Sequence, residues 1–463
     1  MHGTTSAARR RLLLVTHHYA PERGAPQRRW DALAPRLIDA GVDVSVLAPP
    51  PHYPAGRLAE DLPEYRPGRL SRGRHGERIV RTRFREHSPR LRSRSLDQAV
   101  TAWSSLYLGL RVLRRPSLRP DVVVGTVPGI PSMFAAWVLS RVMGAKFVVE
   151  MRDAWPDLIE PAGLFAAGSS ARARVLDLVR WLVHRSVSRL QRRADAVVTT
   201  TETFAEVLRT RGVREVAVVR NGTSFTPADA ETAPAAGPRP LADRPLRVAY
   251  AGTVGRAQDL ETVVRAAAEM RRRGCPVEVR VVGSGVEVEP LRLLAAQLDA
   301  PVDFGGSVPA DEVRSLYRWA DTVLVSLRDW RPLEWTVPSK LYEAMASGRL
   351  VTACVAGESA ELVASTGAGS VVPPGDVAML ADLWSGWVRD GAVPDVSPAA
   401  AAWVAANADD DELGRRYVQL VDHLLVPRGP TYATRSEAPA PARAASSAGT
   451  VRPAAEPAGK PAG

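Results

Sequence analysis

The pattern that most constrains this chain is a repeated alternation of short apolar, β-branched runs with longer amphipathic stretches. The apolar runs lie at 12–16, 44–48, 122–126, 147–151, 196–201, 216–220, 246–251, 277–282, 302–304, 322–327, 350–355 and 370–372. Strands of this kind, separated by helices, form parallel sheets that are covered by helices on both faces. The sequence therefore predicts an α/β fold built on parallel sheets.

A Pro/Ala-rich stretch divides this alternation into two similar halves. We expect one Rossmann-like domain at 10–225, a linker at 226–245 and a second Rossmann-like domain at 246–395. Helices at 396–426 are expected to follow and to pack back on the first domain. The Ala/Pro/Ser/Gly-rich segment 427–463 is predicted to be a disordered tail. Two such domains face each other across a cleft, where ligands collect at the loops that follow the strands.

The chain is basic, with a formal net charge of +11 at pH 7. The arginines are concentrated at 66–94 and 172–193, so nucleic acid and an anionic membrane surface are both candidate partners. No nucleic-acid-binding motif accompanies the charge, and we expect no nucleic-acid partner. The apolar run 12–15 is too short for a signal peptide, and glycines and prolines interrupt the uncharged stretch 122–140. We predict a cytoplasmic protein, with peripheral contact to the inner face of the plasma membrane as a further option.

The cysteines and histidines give no sign of a metal centre. Cys275 and Cys354 each adjoin an apolar run, as small core residues of a reducing compartment do. The eight histidines are scattered without ligand spacing. We therefore expect no disulfide, no metal and no cofactor.

The segment 333–348 carries the clearest chemical signal. Pro338 and Ser339 open a short helix, which places Lys340 in the first turn and Glu343 three residues further on. Free backbone N–H groups, an ammonium and a carboxylate then converge, as a phosphate site requires. The chain has only three lysines against 58 arginines, so the choice of lysine at this position indicates a specific role. An ordinary helix start with an acidic residue near its N-terminus explains the same sequence equally well.

Two further candidates follow strands of the first half. Gly24 lies in the loop after the first strand, where it could let the backbone approach a phosphate or a sugar, and it also suits a simple turn. Asp153 ends the motif Glu150-Met-Arg-Asp153, beside an aromatic residue of the kind that grips sugars. A structural pair between Arg152 and Asp153 is the alternative.

Glycine-rich loops follow the first three strands of the second half. The first loop contains Gly252 and Arg256, the second contains Gly283, and the third spans 304–308. Each loop alone is typical of a turn, but together on one rim they indicate a nucleotide site. A contiguous P-loop sequence is absent, so ATP hydrolysis is not supported.

These pieces together resemble the retaining glycosyltransferases of family 4, which have the two-domain GT-B fold. The closest likeness is to the amino-sugar transferases of bacterial O-antigen, capsule and exopolysaccharide assembly. The matching pieces lie at 19–26, 150–156, 221–222, 252–256, 283–285, 338–343 and 357–361. The resemblance implies transfer of a hexosyl or N-acetylaminosugar group from a nucleotide diphosphate sugar to a polyprenyl-diphosphate-linked or other glycan acceptor.

The resemblance also implies roles for individual residues. Arg256 and Lys340 would neutralise the donor diphosphate, and Asp153 is the acceptor-side catalytic candidate. The substrate-binding candidates are Gly24, Gly252, Gly283, Ser307, Val308, Glu334 and Glu343. Among these, Glu343 would hydrogen-bond the ribose hydroxyls, and the loops around Gly283 and at 307–308 would border the base. No metal would be needed, because preorganised cations stabilise the departing diphosphate.

The chain departs from the family pattern at two important points. Trp335 stands where many members have a glutamate that contacts the donor sugar, so the adjacent Glu334 either replaces that glutamate or leaves its role unfilled. Arg152 and Asp153 stand where a histidine is common, which leaves the acceptor-side catalytic residue open.

Other hypotheses account for parts of the same sequence. A GT-B nucleotide-sugar epimerase would need acid/base groups near the sugar, and the sparse histidines supply no obvious set. A non-catalytic basic binding protein would show salt-sensitive binding to DNA and no protection by nucleotide sugars. The Arg-rich segment 66–94 and an apolar helix at 99–113 suit contact with anionic lipid, or they form a solvated insertion and a core helix.

Overall fold

The computed structural model describes residues 10–22, 25–53, 55–88, 91–161, 171–223, 225, 239–241 and 244–426. Three sequence predictions fall wholly or largely outside these ranges: the site residue Gly24, the linker at 226–245 and the tail at 427–463.

The first sheet is formed by the N-terminal half of the chain. Its strands are β1 (Arg10–Val15), β2 (Val42–Ala48), β3 (Leu70–Arg72), β4 (Arg78–Arg81), β5 (Val122–Val127), β6 (Lys146–Met151), β7 (Ala196–Thr199) and β8 (Val216–Val218). Their order in the sheet is β3-β4-β2-β1-β5-β6-β7-β8. The neighbours pair in parallel, except that β3 runs antiparallel to β4 at the edge.

The second sheet is formed by the C-terminal half and is parallel throughout. Its strands are β10 (Leu246–Ala251), β11 (Val277–Val282), β12 (Val302–Gly305), β13 (Thr322–Ser326), β14 (Leu350–Cys354) and β15 (Gly369–Val372). Their order is β12-β11-β10-β13-β14-β15. A short antiparallel pair, β9 (Arg239–Pro240) with β16 (Ala392–Val393), lies apart from both large sheets.

Helices connect the strands of both sheets. The α-helices in the described ranges are α1 (Ala25–Asp39), α2 (Leu91–Val112), α3 (Ile130–Met143), α4 (Ala171–Arg193), α5 (Glu202–Thr210), α6 (Leu260–Arg272), α7 (Val288–Leu298), α8 (Ala310–Trp319), α9 (Ser339–Ala346), α10 (Glu358–Thr366), α11 (Val377–Asp390), α12 (Pro398–Asn407) and α13 (Asp410–Leu425). Single 3₁₀ turns occur at Pro63–Tyr65, Asp157–Ile159, Arg256–Gln258 and Arg331–Leu333.

The central strands are buried along their whole length because helices cover both faces of each sheet. Every residue of β5, β13 and β14 is buried. Such strands read as continuous apolar, β-branched runs rather than as alternating ones. This is why the twelve predicted strands are confirmed, with ends that differ by at most two residues. The prediction of an α/β fold with parallel sheets is likewise confirmed.

The segment 66–94 differs from the expectation of a solvated insertion. Its residues form β3 and β4, so that the first sheet extends beyond β2. Arg81 at the end of β4 is 3% exposed and donates hydrogen bonds to the carbonyl oxygens of Pro49 (2.9 Å) and Ala20 (2.8 Å). Its guanidinium also lies over the Tyr65 ring, 5.3 Å from the centroid. Arginine-rich composition alone does not reveal that one of these charges is buried and bonded.

The last helix, α13, packs against α1 at the start of the chain. Tyr417 of α13 is buried, and its ring lies 5.4 Å from that of Trp30 in an edge-on arrangement. Arg36 of α1 donates a hydrogen bond from Nε to Asp411 at 2.7 Å. The run of acidic residues at 409–411 starts this helix, and Asp409 accepts hydrogen bonds from the backbone of the first turn.

No helix in the described ranges is both long and apolar enough to cross a bilayer. Both cysteines are free thiols, with Cys354 buried in β14.

Candidate functional site

The second sheet has a topological switch point between β10 and β13. From β10 the chain winds outward in one direction to β11 and β12, and then in the other direction to β13, β14 and β15. In open parallel sheets a crevice forms at this point, outside the carboxyl ends of the strands. The predicted glycine loops follow β10, β11 and β12, so they lie along one rim beside this crevice.

Backbone hydrogen bonds hold the three loops together. The N–H of Gly252 donates to the carbonyl of Val282 at 2.9 Å, and that of Gly283 donates to Gly306 at 3.1 Å. A further bond from the Val254 N–H to the Ser284 carbonyl measures 2.9 Å. The prediction that these glycine-rich loops meet on one rim is confirmed.

Two of the glycines cannot be replaced without disturbing this rim. Gly283 has φ +147°, and a Cβ there would lie 1.8 Å from the carbonyl oxygen of Gly252. A Cβ on Gly285 would lie 1.9 Å from the carbonyl oxygen of Val254. The glycines therefore allow one backbone loop to approach the next closely.

Lys340 reaches this rim from the first turn of α9. Its ammonium donates a hydrogen bond to the hydroxyl of Tyr250 and lies 3.9 Å from the centroid of the same ring. The Tyr250 hydroxyl in turn donates to the carbonyl of Thr253 at 2.6 Å. Lys340 Nζ lies 3.1 Å from the point that a Cβ on Gly252 would occupy. The lysine is thus anchored directly against the first glycine loop.

Burial changes the protonation of this lysine. Loss of solvent around Lys340 lowers the pKa of its ammonium from 10.5 to about 7, although Glu343 acts in the opposite direction. Within the described ranges, Glu343 is the one anion that acts on the ammonium of Lys340. A phosphate ligand would supply the missing negative charge and restore the ammonium form.

Glu343 lies one turn further along α9 and is partly buried. Burial raises the pKa of its carboxyl, and the positive charges of Arg28, Lys340 and Arg314 oppose that rise. Arg28 belongs to α1 in the other half of the chain, and sequence reasoning did not single it out. The structure therefore brings Lys340, Glu343, Gly252 and the Gly283 loop to one place.

Arg256 lies in the 3₁₀ turn that follows the first glycine loop. Its side chain is 65% exposed, and its Nε lies 3.4 Å from a carboxylate oxygen of Glu287. Ser307 and Val308 lie on the loop after β12, with Ser307 exposed and Val308 partly buried. These three residues therefore lie around the rim of the crevice rather than within its buried part.

The loop between β13 and α9 carries Glu334, a candidate for contact with the donor sugar, and its neighbour Trp335. The carboxylate of Glu334 has no recorded hydrogen bond to the described residues, while its backbone carbonyl accepts one from Glu358 at 3.0 Å. Trp335 instead faces the first half of the chain, where its ring stacks on Phe204 at 6.1 Å and its carbonyl accepts from Thr201 at 2.5 Å. The tryptophan is therefore part of the contact between the two halves.

Glu358 forms a second contact between the halves. Its carboxylate accepts a hydrogen bond from Arg220 at 2.7 Å and from the backbone N–H of Thr203 at 2.8 Å, at the start of α5. The adjacent Gly357 has φ +62°, and a Cβ there would lie 2.1 Å from the carbonyl oxygen of Glu334. The sequence piece 357–361 thus links the loop between β13 and α9 to the first half of the chain.

Asp153 follows β6 and is exposed. No hydrogen bond joins its carboxylate to the described residues, but the charges of Arg152 and Asp153 act on each other, so the alternative of a structural pair stays a prediction. Glu150, by contrast, is fully buried and accepts hydrogen bonds from Arg29 Nε (2.9 Å) and Trp30 Nε1 (2.8 Å). Within this motif Glu150 therefore holds α1 against β6.

The carboxyl edge of the first sheet contains a cluster that the sequence did not reveal. His17, His18, His52 and His87 converge there with Asp97, although their positions span 81 residues of sequence. Burial lowers the pKa of His17, His18 and His52, which favours neutral imidazoles. No spacing rule would have found this cluster, because its histidines follow three different strands: β1, β2 and β4.

Comparison with known proteins identifies the family. A family model described as "Glycosyl transferase 4-like domain" matches residues 24–222, and one described as "Glycosyl transferases group 1" matches residues 245–390. The chain is 24% identical over 344 residues to the putative colanic acid biosynthesis glycosyl transferase WcaI of Escherichia coli (strain K12). That match covers 72% of this chain and 80% of WcaI.

Solved structures show the same architecture. Sucrose-phosphate synthase from Thermosynechococcus elongatus superposes with a TM-score of 0.66 at 19% identity, over 90% of this chain and 99% of that one. HepE of Anabaena, solved in complex with UDP and glucose, gives a TM-score of 0.59 at 15% identity, over 89% of this chain and 100% of that one. At such identities the likeness establishes the fold, which is the predicted GT-B fold. The chain belongs to the family 4 glycosyltransferases and resembles the enzymes that assemble cell-envelope polysaccharides.

Proposed function

We propose that this glycosyltransferase is a retaining enzyme that moves a sugar from a nucleotide diphosphate sugar to a lipid-linked or cell-surface glycan acceptor. The observation that carries the proposal is the position of Lys340. Its ammonium is anchored by Tyr250 against the Gly252 loop, beside the crevice of the second sheet. A partly buried cation at such a crevice, beside loops whose backbone is exposed by glycines, suits a diphosphate.

The proposed chemistry depends on stabilising the leaving group. As the bond from the sugar C1 to the diphosphate breaks, negative charge grows on the diphosphate, and a preorganised cation stabilises it. Lys340 fills this role from within the crevice, and Arg256 assists from the rim once it exchanges Glu287 for phosphate. No metal is required at the diphosphate in this proposal. A new bond to C1 then forms from an acceptor oxygen, with Asp153 as the acceptor-side group that takes its proton.

The remaining candidates bind the rest of the donor. Glu343 would accept hydrogen bonds from the ribose hydroxyls, and the loops at Gly283 and at 307–308 would border the base. Glu334 would contact the donor sugar, since Trp335 faces the first half of the chain. HepE has been solved with UDP-glucose, which supports a nucleotide sugar as the donor of this chain also.

The acceptor belongs to the first half of the chain in this proposal. We accordingly assign acceptor binding to the domain at 10–225 and donor binding to the domain at 246–395, which the helices at 396–426 follow. WcaI is named for colanic acid biosynthesis, which supports a polysaccharide precursor as the acceptor. Such precursors are commonly lipid-linked, so the enzyme would work at the cytoplasmic face of a membrane.

Two helices of the first half carry exposed apolar residues beside arginines, as a membrane-binding surface would. On α2, Trp103 is 74% exposed and Tyr107 is also exposed, with Arg111 one turn further on. One face of α4 exposes Val175, Leu178, Val179, Trp181 and Leu182. Aromatic and aliphatic side chains with neighbouring arginines suit the headgroup region of an anionic bilayer. We include peripheral contact with such a surface in the proposal.

Thermal stabilisation by nucleotide sugars tests the proposal. A panel of UDP-, GDP-, ADP- and TDP-sugars should contain at least one that raises Tm, because binding to the folded state stabilises it. Lys340→Ala should lose this shift, whereas the control Lys146→Ala, which removes a partly exposed lysine of β6, should keep it. Transfer of the same sugar to a polyprenyl-diphosphate saccharide, with the anomeric configuration read by NMR, tests the retaining chemistry. A folded protein that responds to no member of the panel would contradict the proposal and favour a binding protein, whereas conversion of the donor without transfer would favour an epimerase.

A further inference from the structure

The histidine cluster lies at the carboxyl edge of the first sheet. His17 and His18 directly follow β1, and His52 follows β2, so neighbouring strands bring them together. His17 is 5% exposed and His52 is 2% exposed, while His18 is partly buried beside the exposed Tyr53. Three imidazoles therefore meet in a site that is closed on the protein side and open beside His18.

The three rings are arranged as ligands of one ion would be. Their centroids form a nearly equilateral triangle, with sides of 5.0 Å from His17 to His18, 5.1 Å from His17 to His52, and 5.2 Å from His18 to His52. Zn²⁺ binds imidazole nitrogen at about 2.0–2.1 Å, which puts each ring centroid about 3.2 Å from the ion and tetrahedrally arranged centroids about 5.2 Å apart. One nitrogen from each ring already lies within 4.8 Å of the other two. Closing on an ion then requires each nitrogen to move by about 0.7 Å or less.

Each ring also has a partner on one of its two nitrogens. His17 Nε2 lies 3.1 Å from Asp97 Oδ2, and His18 Nδ1 lies 3.4 Å from Glu22 Oε2. His52 Nδ1 lies 2.9 Å from the carbonyl oxygen of Pro50 and 3.2 Å from Glu22 Oε1. A histidine that binds a metal normally donates its other N–H to a carboxylate or a carbonyl, and all three rings have this arrangement.

The second nitrogens are left without partners. His17 Nδ1 and His52 Nε2 are buried atoms that have no hydrogen-bond partner among the described residues. Buried polar nitrogens are normally satisfied, and two such atoms in one cluster need an explanation. A bound ion would satisfy both at once, whereas a purely structural hydrogen-bond network would leave them unpaired.

We propose that His17, His18 and His52 bind a divalent transition-metal ion, with Zn²⁺ as the preferred ion. Three neutral imidazoles suit Zn²⁺ and its first-row neighbours, whereas Mg²⁺ and Ca²⁺ require oxygen ligands. Three protein ligands leave a fourth position, on the open side beside His18, for an oxygen ligand such as water or an anionic group. This site is separate from the proposed diphosphate site on the second sheet, and it stands whether or not the proposed donor is correct.

A second grouping in the same cluster is His52 with His87 and Asp97. Asp97 Oδ2 lies 3.1 Å from His17 Nε2 and 3.8 Å from His87 Nε2, so this carboxylate is already shared between two rings. His52 Nε2 belongs to both groupings, and Asp97 Oδ2 also has no hydrogen-bond partner among the described residues. The first grouping is preferred because Asp97 lies on the Nε2 side of His17, where it supports that ring, and because His17 Nδ1 is left without a partner. Substitutions of His18 and His87 distinguish the two, because each belongs to one grouping only.

The experiment measures metal binding by the full-length protein and needs no activity. The protein is purified with a histidine-free tag from cells grown with added Zn²⁺, and its metal content is measured by plasma mass spectrometry. Zn²⁺ affinity is then measured by competition with a chromophoric chelator, and Co²⁺ loading is followed by visible absorption. The variants are His18→Gln, His52→Ala, His87→Ala and Glu22→Gln, with His184→Ala as the matched control on α4, where that side chain is 45% exposed. Circular dichroism verifies that each variant is folded.

The proposal predicts about one Zn²⁺ per chain and a tetrahedral Co²⁺ spectrum. His18→Gln and His52→Ala should lose both, and Glu22→Gln should weaken Zn²⁺ binding by about 10–100-fold because it supports two of the rings. His87→Ala and His184→Ala should bind as the parent does. His18 is partly exposed, so its variant tests the site even if His52→Ala fails to fold. Absence of Zn²⁺ in the purified protein together with no uptake would overturn the proposal. Loss of binding in His87→Ala but not in His18→Gln would overturn it in favour of the other grouping, and equal loss in His184→Ala would show that binding is nonspecific.

Discussion

Replacing Lys340 with methionine should stabilise the ligand-free protein while it abolishes donor binding. Burial lowers the pKa of Lys340 from 10.5 to about 7, so the folded protein holds this ammonium at a cost that the unfolded chain does not bear. At 1.36 kcal/mol for each pH unit, the full cost is at most about 5 kcal/mol. Residual solvent around the partly exposed side chain reduces this cost. Loss of the hydrogen bond to Tyr250 lowers the expected gain in stability by about 1 kcal/mol. We expect Lys340→Met to raise the free energy of unfolding by about 2–4 kcal/mol below pH 7.

The pH dependence gives this prediction its sign. Between pH 7 and pH 10.5 the unfolded chain keeps the proton of Lys340 and the folded chain has released it, so the stability of the parent protein rises with pH in this window. Below pH 7 both states are protonated and the cost is complete. Lys340→Met has no such proton to release. Its advantage over the parent should therefore be greatest near pH 6 and should shrink steadily towards pH 9.5.

Thermal unfolding at pH 6, 7.5 and 9, without ligand, measures this difference. For one cooperative unit of the size of residues 1–425 each kcal/mol moves Tm by about 1 °C, so the expected increase near pH 6 is about 2–4 °C. The control Lys146→Met removes a lysine that is 44% exposed and lies 3.4 Å from Asp195, and it should leave Tm unchanged or slightly lower at every pH. A Lys340→Met protein that is less stable than the parent at pH 6, or whose advantage does not change with pH, would refute the reasoning.

Two further predictions concern the glycine rim and the contact between the halves. Gly283→Ala should lower the free energy of unfolding by at least about 2 kcal/mol and abolish stabilisation by the donor, because its Cβ would collide with the Gly252 carbonyl. The control Gly375→Ala changes a glycine that also has positive φ but has open space around it, and it should keep donor binding. Glu358→Gln should lower the free energy of unfolding by about 2–4 kcal/mol, because it leaves the buried guanidinium of Arg220 without its carboxylate. Urea unfolding measures this loss, and an unchanged midpoint would show that the pair does not hold the halves together.

Much of the fold was predictable because its signals are local. Parallel strands buried on both faces appear as continuous apolar runs, and these runs located twelve of the fourteen strands of the two sheets to within two residues. The edge strands β3 and β4 were missed because they lie in an arginine-rich segment, where charge masks the pattern. Arg81 shows the reason: its guanidinium is buried by bonding to backbone carbonyls, which composition cannot reveal.

The candidate site was predictable in part. The sequence pattern of a helix start revealed Lys340 and Glu343, and the patterns of strand ends revealed the glycine loops. The order of the strands then places these residues on one rim. Tyr250, which anchors Lys340, reads in the sequence as a core residue, since only the tertiary structure brings the first turn of α9 to the end of β10. Trp335 likewise looked like a substituted donor contact, and only the juxtaposition of the two halves shows it stacked on Phe204.

The sequence by itself determined the α/β class, the two parallel sheets and the family, because these depend on periodicity and on short motifs within a single loop. Tertiary structure alone decided which distant side chains share a site. His17, His18 and His52 follow two different strands and meet only because β1 and β2 are neighbours in the sheet. Tertiary structure also decides the burial that lowers the pKa of Lys340. It decides as well which histidine nitrogens have hydrogen-bond partners and which two have none. Both properties depend on atoms that are far away in sequence.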